Sequence, residues 1–339
     1  MLRVEFWIRA LITIAAAIAA ALVSAAQAAT RVSPFAVRRD TASALYAPAG
    51  GRSAQNPAYS TDGRRVLFTV FLNGYNNGPA GLHILDRTSG ETTTLLDEPE
   101  QDSVNLPGAS WNGARDLITF SSDREDRHEV WTVNAGTLAL FRVTRGVDGG
   151  EAIEPSFSPD GGWIVFEVSK VRTGEERFGA LWKVRSDGTE LTRLTGGPGA
   201  ESDDRQPNWS PRGDQIVFQR RPIGGDLWEL YLTGPNGGAV TRLFVSPFDH
   251  SDASWSPDGR QVVFSSDHGG LPNPQIFIIP SSGGEPVRVT FDAGYSDSAP
   301  SWSPDGSSIA FESHPTDASP AMLWEIRLRS PSRRRAVRR

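Results

Sequence analysis

Four carboxylates and one histidine recur at fixed distances before aromatic residues of this 339-residue chain. The distance is three positions for Glu154 and Asp252, and five positions for Asp204, His250 and Asp297. Because side chains alternate along an extended strand, positions three and five residues before the same point share one side. Converging carboxylates can bind a hard cation such as Ca²⁺ or a basic peptide. We therefore predict a ligand- or partner-binding site at these five residues; the alternative is that they are solvated residues at strand ends.

No set of residues in the sequence predicts a catalytic centre. The sequence contains neither a Gly-x-Ser-x-Gly nucleophile motif nor a Gly-x-x-x-x-Gly-Lys-Ser/Thr phosphate loop. The absence of cysteine excludes a thiolate metal site and a cysteine nucleophile. Three histidines, His128, His268 and His314, fall in loops of one class, where they could stand alone or form a metal-binding cluster. We assign no catalytic or metal-ligating residue and expect no cofactor, with Ca²⁺ as the one candidate ion.

The aromatic residues that mark these distances belong to an internal repeat. Six segments share a pattern whose fullest form is Pro-Ser-Trp-Ser-Pro-Asp-Gly, and their central aromatics stand 46 to 52 residues apart: Tyr59, Trp111, Phe157, Trp209, Trp255 and Trp302. Nine residues after each aromatic stands a phenylalanine: Phe68, Phe120, Phe166, Phe218, Phe264 and Phe311. Sixfold recurrence favours a role in the core over sugar stacking.

Each repeat has the elements of a four-stranded antiparallel sheet. The aromatic belongs to a first strand, Pro-Asp-Gly makes a tight reversal, and an Ile-Val-Phe run forms a buried second strand. A third strand such as Gln275–Ile278 and a fourth such as Val287–Thr290 follow across a Gly-Gly turn. Six such units predict an all-β, six-bladed β-propeller, with a solenoid as the alternative.

The ring is predicted to close through the N-terminal side of the chain. The last repeat supplies a third strand at Leu323–Leu328 but no fourth-strand motif. The segment Ala42–Tyr46 precedes Tyr59 at about the distance by which fourth strands precede the other aromatics. We expect it to complete blade six, because closure removes sheet edges that would otherwise invite aggregation.

The repeat Pro-Ser-Trp-Ser-Pro-Asp-Gly followed by Ile-Ala-Phe resembles the blade signature of the TolB-like propeller family. The resemblance covers roughly residues 40–328 and implies a periplasmic binding protein of the cell envelope. The same signature also occurs in propellers of prolyl oligopeptidase-like peptidases and oligogalacturonate lyase-like enzymes. The chain departs from TolB in one respect, since the α/β domain that precedes the TolB propeller has no counterpart in the sequence before the first blade.

The loops of one face are the predicted place of function. First-to-second turns are short, whereas the second-to-third connections on the opposite face are long: residues 73–81, 169–179, 267–274 and 313–320. Binding residues concentrate on variable loops over a rigid scaffold. We predict a non-catalytic scaffold that binds an envelope protein or peptide there, as a monomer. The alternative is a metal-dependent polysaccharide lyase or hydrolase that uses the propeller channel.

The two ends of the sequence differ from the repeats. Arg3 and Arg9 precede an apolar stretch, and Ala26-Gln27-Ala28 forms a cleavage motif, which together predict a signal peptide at residues 1–28 and a periplasmic or secreted protein. A linker at 29–40 leads to the propeller at 41–328, and a basic tail at 329–339 is expected to be disordered. The net charge of −6 argues against nucleic-acid partners.

Overall fold

The computed structural model describes residues 42–97, 100–171, 177–196, 202–292, 294–315 and 319–328. Its described residues form six antiparallel sheets of four strands each, with the first strand of one sheet split in two. In this part of the chain, no helix has the length and apolar character that crossing a bilayer requires. The predicted signal peptide, linker and basic tail lie outside the described residues.

The strands follow the repeat, and each blade is numbered by its order in the chain. Blades one to three contain β2 (Ser53–Tyr59), β3 (Arg65–Phe71), β4 (Ala80–Asp86) and β5 (Thr92–Leu96); β6 (Ser103–Val104), β7 (Trp111–Asn112), β8 (Leu117–Glu125), β9 (Arg127–Asn134) and β10 (Leu140–Arg142); β11 (Glu151–Phe157), β12 (Trp163–Val171), β13 (Arg177–Arg185) and β14 (Thr192–Arg193). A short 3₁₀ turn at Val147–Gly149 precedes blade three.

Blades four to six contain β15 (Ser202–Trp209), β16 (Ile216–Pro222), β17 (Glu229–Thr233) and β18 (Thr241–Arg242); β19 (His250–Trp255), β20 (Gln261–Ser266), β21 (Gln275–Pro280) and β22 (Val287–Arg288); β23 (Ser296–Trp302), β24 (Ser308–His314), β25 (Met322–Arg327) and β1 (Ala42–Tyr46). The sheet orders confirm the prediction of an all-β, six-bladed propeller of four-stranded antiparallel blades.

The signature turns explain why the first two strands of each blade pair. In blade five, the Ser256 hydroxyl donates to Asp258 Oδ1 at 2.7 Å and accepts from the Gln261 backbone at 2.9 Å. Gly259 takes a φ of +65°, which a side chain would strain, and its backbone N–H donates to the Ser256 carbonyl at 2.9 Å. Burial raises the pKa of Asp258, but hydrogen bonds from Ser256 and from the Arg260 backbone to the ionised carboxylate outweigh it, so the pKa is lowered.

The repeat phenylalanines form the centre of the hydrophobic packing. All six are fully buried, and each signature aromatic is between 3% and 8% exposed. Trp255 packs with Val217 and Leu230 of the preceding blade, so the aromatic seals the boundary between neighbouring sheets. The predicted burial of Trp209 and Phe218 is confirmed.

Closure of the ring is also confirmed. Strand β1 pairs antiparallel with β25, with Ala42 opposite Ile326 and Tyr46 opposite Leu323. The first and last described strands therefore share one sheet, and β1 pairs the edge that β25 would otherwise expose.

Candidate functional site

A β-bulge in the first strand shapes the centre of the ring. In blades one, three, four, five and six, two residues of the first strand lie opposite a single residue of the second strand. The first strand therefore contains one extra residue at this point. The residue three positions before the aromatic has positive φ in all six blades, between +48° and +92°: Asn56, Gly108, Glu154, Gln206, Asp252 and Ala299. We call these six positions the bulge ring.

The bulge ring is tied together from blade to blade. The Glu154 carboxylate accepts the backbone N–H of Gln206 at 2.9 Å, and the Gln206 side-chain carbonyl accepts the backbone N–H of Asp252 at 3.0 Å. The Asp252 carboxylate in turn accepts a hydrogen bond from the Ala299 backbone. Each side chain thus satisfies the amide that the next bulge frees from its sheet, as buried backbone donors require.

Glu312 of β24 continues this chain of contacts where Ala299 cannot. Its Oε2 accepts the backbone N–H of Asn56 at 2.9 Å, and its Oε1 accepts the Tyr75 hydroxyl at 2.9 Å. Burial raises the pKa of Glu312 to about 7, with the charge of Asp252 acting in the same direction. Glu312 is therefore poised between the neutral and the charged form near neutral pH.

A second carboxylate pair lies beside blade three. Glu167 of β12 is fully buried beside Glu154, and burial followed by the Glu154 charge raises the pKa of Glu167 well above its usual range. Burial also raises the pKa of Glu154, whose carboxylate accepts the Gln206 backbone N–H. The Arg205 guanidinium lies 3.9 Å from Glu167 and forms its closer contact, 2.7 Å, with Asp203.

Five residues of the bulge ring, together with Tyr75 and Glu312, border a cavity of about 200 Å³ at the loop-side mouth of the channel. Nine of the described lining residues have polar side chains: Asn56, Tyr75, Asn76, Asn105, Ser121, Glu154, Gln206, Asp252 and Glu312. Among the described lining residues, three are carboxylic acids and none is lysine, arginine or histidine. Burial raises the pKa of Asp252 as well, because its charged form is poorly solvated there. The described wall thus combines three carboxylic acids with no basic side chain.

The five predicted site residues do not share one side of their strands. Glu154 and Asp252 line the cavity, but Asp204, His250 and Asp297 are at most 1% exposed and are not among its lining residues. The expectation of a common side was wrong, because the extra residue of the bulge interrupts the alternation between positions five and three. Whether any of the five binds a partner stays a prediction.

The three buried residues have partners inside their own blades. Asp204 forms a two-pronged ion pair with Arg220, with distances of 2.6 and 2.8 Å. The Asp297 carboxylate accepts the Ser313 hydroxyl at 2.6 Å. His250 Nδ1 lies 2.8 Å from the Ser266 hydroxyl, and burial lowers the pKa of His250 to about 4, so it is neutral at physiological pH. These contacts stabilise the fold.

The other predicted loop histidines are dispersed. His268 packs with Phe248 and Phe277 in blade five. The ring of His314, in blade six, lies 4.2 Å from the ring of Tyr75, which belongs to a loop of blade one. His128 lies at the start of β9 in blade two. The loop histidines therefore form no common cluster in the described part of the chain.

Several residues of the cavity wall were not predicted from the sequence. Tyr75 comes from the loop between β3 and β4, and nothing in its neighbourhood predicts that it reaches Glu312. A signal existed for Glu312, because the residue directly after each repeat phenylalanine is polar in all six blades: Thr69, Ser121, Glu167, Gln219, Ser265 and Glu312. A polar position within a buried strand, repeated six times, indicates a second face that lines the channel.

Blade two divides the channel. Its first strand is split into β6 and β7, and the segment between them crosses the ring. Asn208 of blade four donates to the Pro107 carbonyl at 2.7 Å, and a Cβ atom on Gly108 would lie 2.9 Å from Ser254 of blade five. Gly108 has a φ of +92°. We call residues 105–110 the plug.

The plug separates the loop-side cavity from a larger one at the opposite mouth. This second cavity, of about 390 Å³, is bordered by all six signature aromatics and by Pro159, Pro211, Pro257 and Pro304. Among its described lining residues none is charged. The larger opening is thus apolar, and the charge of the channel is confined to the loop-side mouth.

Known proteins share both the sequence repeat and the ring. Residues 206–328 match the family model described as the TolB beta propeller domain. An uncharacterised protein of Agrobacterium fabrum is 28% identical over 177 residues, which cover 49% of this chain and 54% of that protein. The Tol-Pal system protein TolB of Francisella tularensis subsp. holarctica is 25% identical over 205 residues, covering 48% and 44%. The chain therefore spans about half the length of the curated relatives it matches.

Solved structures share the fold at lower identity. The putative TolB of Agrobacterium tumefaciens is 18% identical with a TM-score of 0.53, over 80% of this chain and 90% of that one. An oligogalacturonate lyase in complex with manganese is 15% identical with a TM-score of 0.52, over 85% and 93%. At these identities the likeness shows the fold alone. The structures that share the fold include an enzyme as well as a putative TolB. By its repeats, its six closed blades and the match of residues 206–328, this chain resembles the TolB-like β-propeller family.

Proposed function

We propose that this chain is a non-catalytic binding propeller of the bacterial cell envelope that holds a cationic side chain of a protein or peptide partner at the loop-side mouth. The observation that carries the proposal is the lining of that mouth, where Glu154, Asp252 and Glu312 meet without a basic residue among the described lining residues. Buried carboxylates with raised pKa values gain from a partner that supplies positive charge.

The size of the cavity supports a side chain as its occupant. Pockets for small molecules measure roughly 300 to 1,000 Å³, whereas this cavity measures about 200 Å³. The plug limits its depth, because Leu106 forms part of the wall. One lysine or arginine side chain of a partner fits these dimensions better than a chain of sugars does.

An enzyme is the weaker alternative. The likeness to an oligogalacturonate lyase concerns the fold alone. Clustered histidines beside glutamine would favour a metal-dependent lyase, and the lining has Gln206 but no histidine among its described members. The carboxylates, amides and tyrosine of this wall favour binding. Ca²⁺ is the second candidate ligand for the same mouth, since it prefers oxygen ligands.

The proposed location is the periplasm, where a partner from the envelope is within reach. It rests on the signal peptide that residues 1–28 predict. N-terminal sequencing of the protein from a periplasmic fraction should begin at Ala29. Recovery of intact Met1 from the membrane fraction would contradict this location.

Capture of partners from envelope extracts tests the binding proposal. Three proteins would be used as baits at two salt concentrations. They are the wild type, the double variant Asp252→Asn with Glu154→Gln, which we call the channel variant, and the control Asp258→Asn. We expect the channel variant to lose its captured protein and the control to keep it, because Asp258 lies in an exposed turn on the opposite face. Retention should fall with salt, as for surface electrostatics.

A calcium arm separates the two candidate ligands. If Ca²⁺ is the ligand, it should raise the melting temperature of wild type but not of the channel variant, since a ligand of the folded state stabilises by mass action. Equal capture by wild type and the channel variant, at both salt concentrations, would contradict the proposal that the partner binds at this mouth.

A further inference from the structure

A group of three possible metal ligands lies at the loop-side end of blade two, and none of the three lines the channel cavity. Asp102 directly precedes β6, Asp123 lies near the end of β8, and His128 near the start of β9. One potential ligand atom from each residue lies within 4.8 Å of the other two. Three neighbouring strands therefore bring two carboxylates and one imidazole together, and all three residues are half-buried.

Two of these side chains contain buried atoms without a hydrogen-bond partner in the described part of the chain. They are Oδ1 of Asp102 and Nδ1 of His128. Burying polar atoms without partners is costly, so most such atoms in native proteins are paired. Both orphaned atoms belong to the same three-residue group, which points to a shared ligand.

The local backbone holds the two carboxylates in place. The backbone N–H of Asp102 donates to Asp123 Oδ1 at 2.8 Å. The Asp102 carboxylate approaches the backbone of Gly78 in blade one so closely that a Cβ atom on Gly78 would lie 2.1 Å from Asp102 Oδ1. Positioned ligands of this kind are typical of metal sites, where surrounding contacts orient the coordinating groups.

The charges of the group lack compensation. No lysine or arginine forms a salt bridge with either carboxylate among the described residues. A divalent cation would neutralise the two carboxylates and relieve their repulsion.

Blade five provides an internal comparison. Its Asp249 and Asp267 repeat the arrangement of the first two ligands, with the Asp249 backbone N–H donating to Asp267 Oδ1 at 2.9 Å. There, however, Asp249 Oδ1 accepts the backbone N–H of Trp228 at 2.8 Å. Pro274 stands at the position of His128, three residues before the strand-three aromatic. The Asp102 carboxyl also receives a backbone hydrogen bond, from Ala80, but its Oδ1 has no partner, whereas Asp249 Oδ1 is paired. Blade five also lacks the imidazole.

We infer that Asp102, Asp123 and His128 bind a divalent transition-metal ion of the Zn²⁺ or Mn²⁺ class at the loop-side end of blade two. The imidazole decides the class, because Ca²⁺ and Mg²⁺ prefer sites made of oxygen alone. Three protein ligands leave further coordination positions to water. The site is separate from the proposed partner-binding mouth and does not depend on it.

Metal titration of the purified, untagged protein tests this inference. After treatment with a chelator, Zn²⁺ and Mn²⁺ would be added separately and binding measured by isothermal titration calorimetry, with metal content measured by mass spectrometry. We expect one equivalent of at least one of these ions per chain. Asp123→Asn and His128→Ala should each weaken binding by about tenfold or more, the scale on which even indirect contacts to metal sites act.

The matched control is Asp267→Asn, which makes the Asp123→Asn change at the corresponding position of blade five. It should leave stoichiometry and affinity unchanged. Two independent ligand variants guard against the case in which one fails to fold, and circular dichroism of the metal-free proteins verifies folding. No stoichiometric binding of either ion, or equal binding by wild type and both ligand variants, would overturn the inference. Ca²⁺ binding that survives His128→Ala would overturn the assignment of the metal class.

Discussion

The two mouths of the channel are built from the same six repeats but have opposite chemistry. The turn-side mouth is lined by the aromatic and proline residues of the signature, which recur because they also seal the blades together. The loop-side mouth is lined by the bulge ring, whose side chains differ from blade to blade and include Glu154, Gln206 and Asp252. Positions needed for packing are thus repeated, whereas positions freed by the bulge can vary and carry charge.

The largest expected effect lies in the packing that all blades share. Phe218→Ala should reduce the free energy of unfolding by about 3–5 kcal/mol, because it leaves a cavity in a fully buried core. Phe291→Ala is the control, since that ring is 41% exposed, and it should cost less than about 1 kcal/mol. Chemical denaturation of both variants measures the difference. Similar losses in the two variants would show that the repeat phenylalanines are not the main source of stability.

The second effect separates the two kinds of charged residue on the first strands. Asp204→Ala should cost about 2–4 kcal/mol, because it leaves the largely buried Arg220 without its partner. Asp252→Asn should cost less than about 1 kcal/mol, since the amide oxygen can still accept the Ala299 amide. Thermal and chemical denaturation should therefore rank Asp204 far above Asp252. The opposite ranking would place the structural carboxylate in the channel and contradict the division proposed here.

A pH dependence sharpens the comparison further. The pKa of Glu312 is raised by burial to about 7 in the folded state, from its ordinary value of 4.5. Between these values the folded protein binds more protons than the unfolded chain, so stability from this group is complete below pH 4.5 and is lost as pH rises through 7. Glu312→Gln should therefore stabilise the protein at pH 8, by up to about 3 kcal/mol, and have little effect at pH 4. A gain that is equal at both pH values would contradict the proton linkage.

The sequence predicted the parts of this molecule that rest on repetition. The closing strand Ala42–Tyr46 could be placed because one of six otherwise equal blades lacked its fourth strand. The burial of Phe218 followed from the same regularity. Repetition is informative because corresponding residues of the six blades occupy equivalent packing positions.

The site was harder to predict because it depends on departures from regular strands. Strict alternation placed Asp204 and Asp252 on one side, and a single extra residue per strand separated them. The plug breaks the pattern of blade two alone, and Tyr75 arrives from a loop whose path no periodicity fixes. Bulges and loop paths follow from packing around the whole ring, which a local pattern does not contain.

Photo-crosslinking from the two mouths tests the central claim most directly. A photoreactive residue would replace Asn76, which lines the loop-side cavity, or Thr61, which lines the turn-side cavity. In cells, position 76 should yield a crosslinked partner, and adding Asp252→Asn with Glu154→Gln should abolish it, while position 61 should yield none. Crosslinks from position 61 alone, or crosslinks from position 76 that persist without the two carboxylates, would contradict the account of the acidic mouth as the binding site.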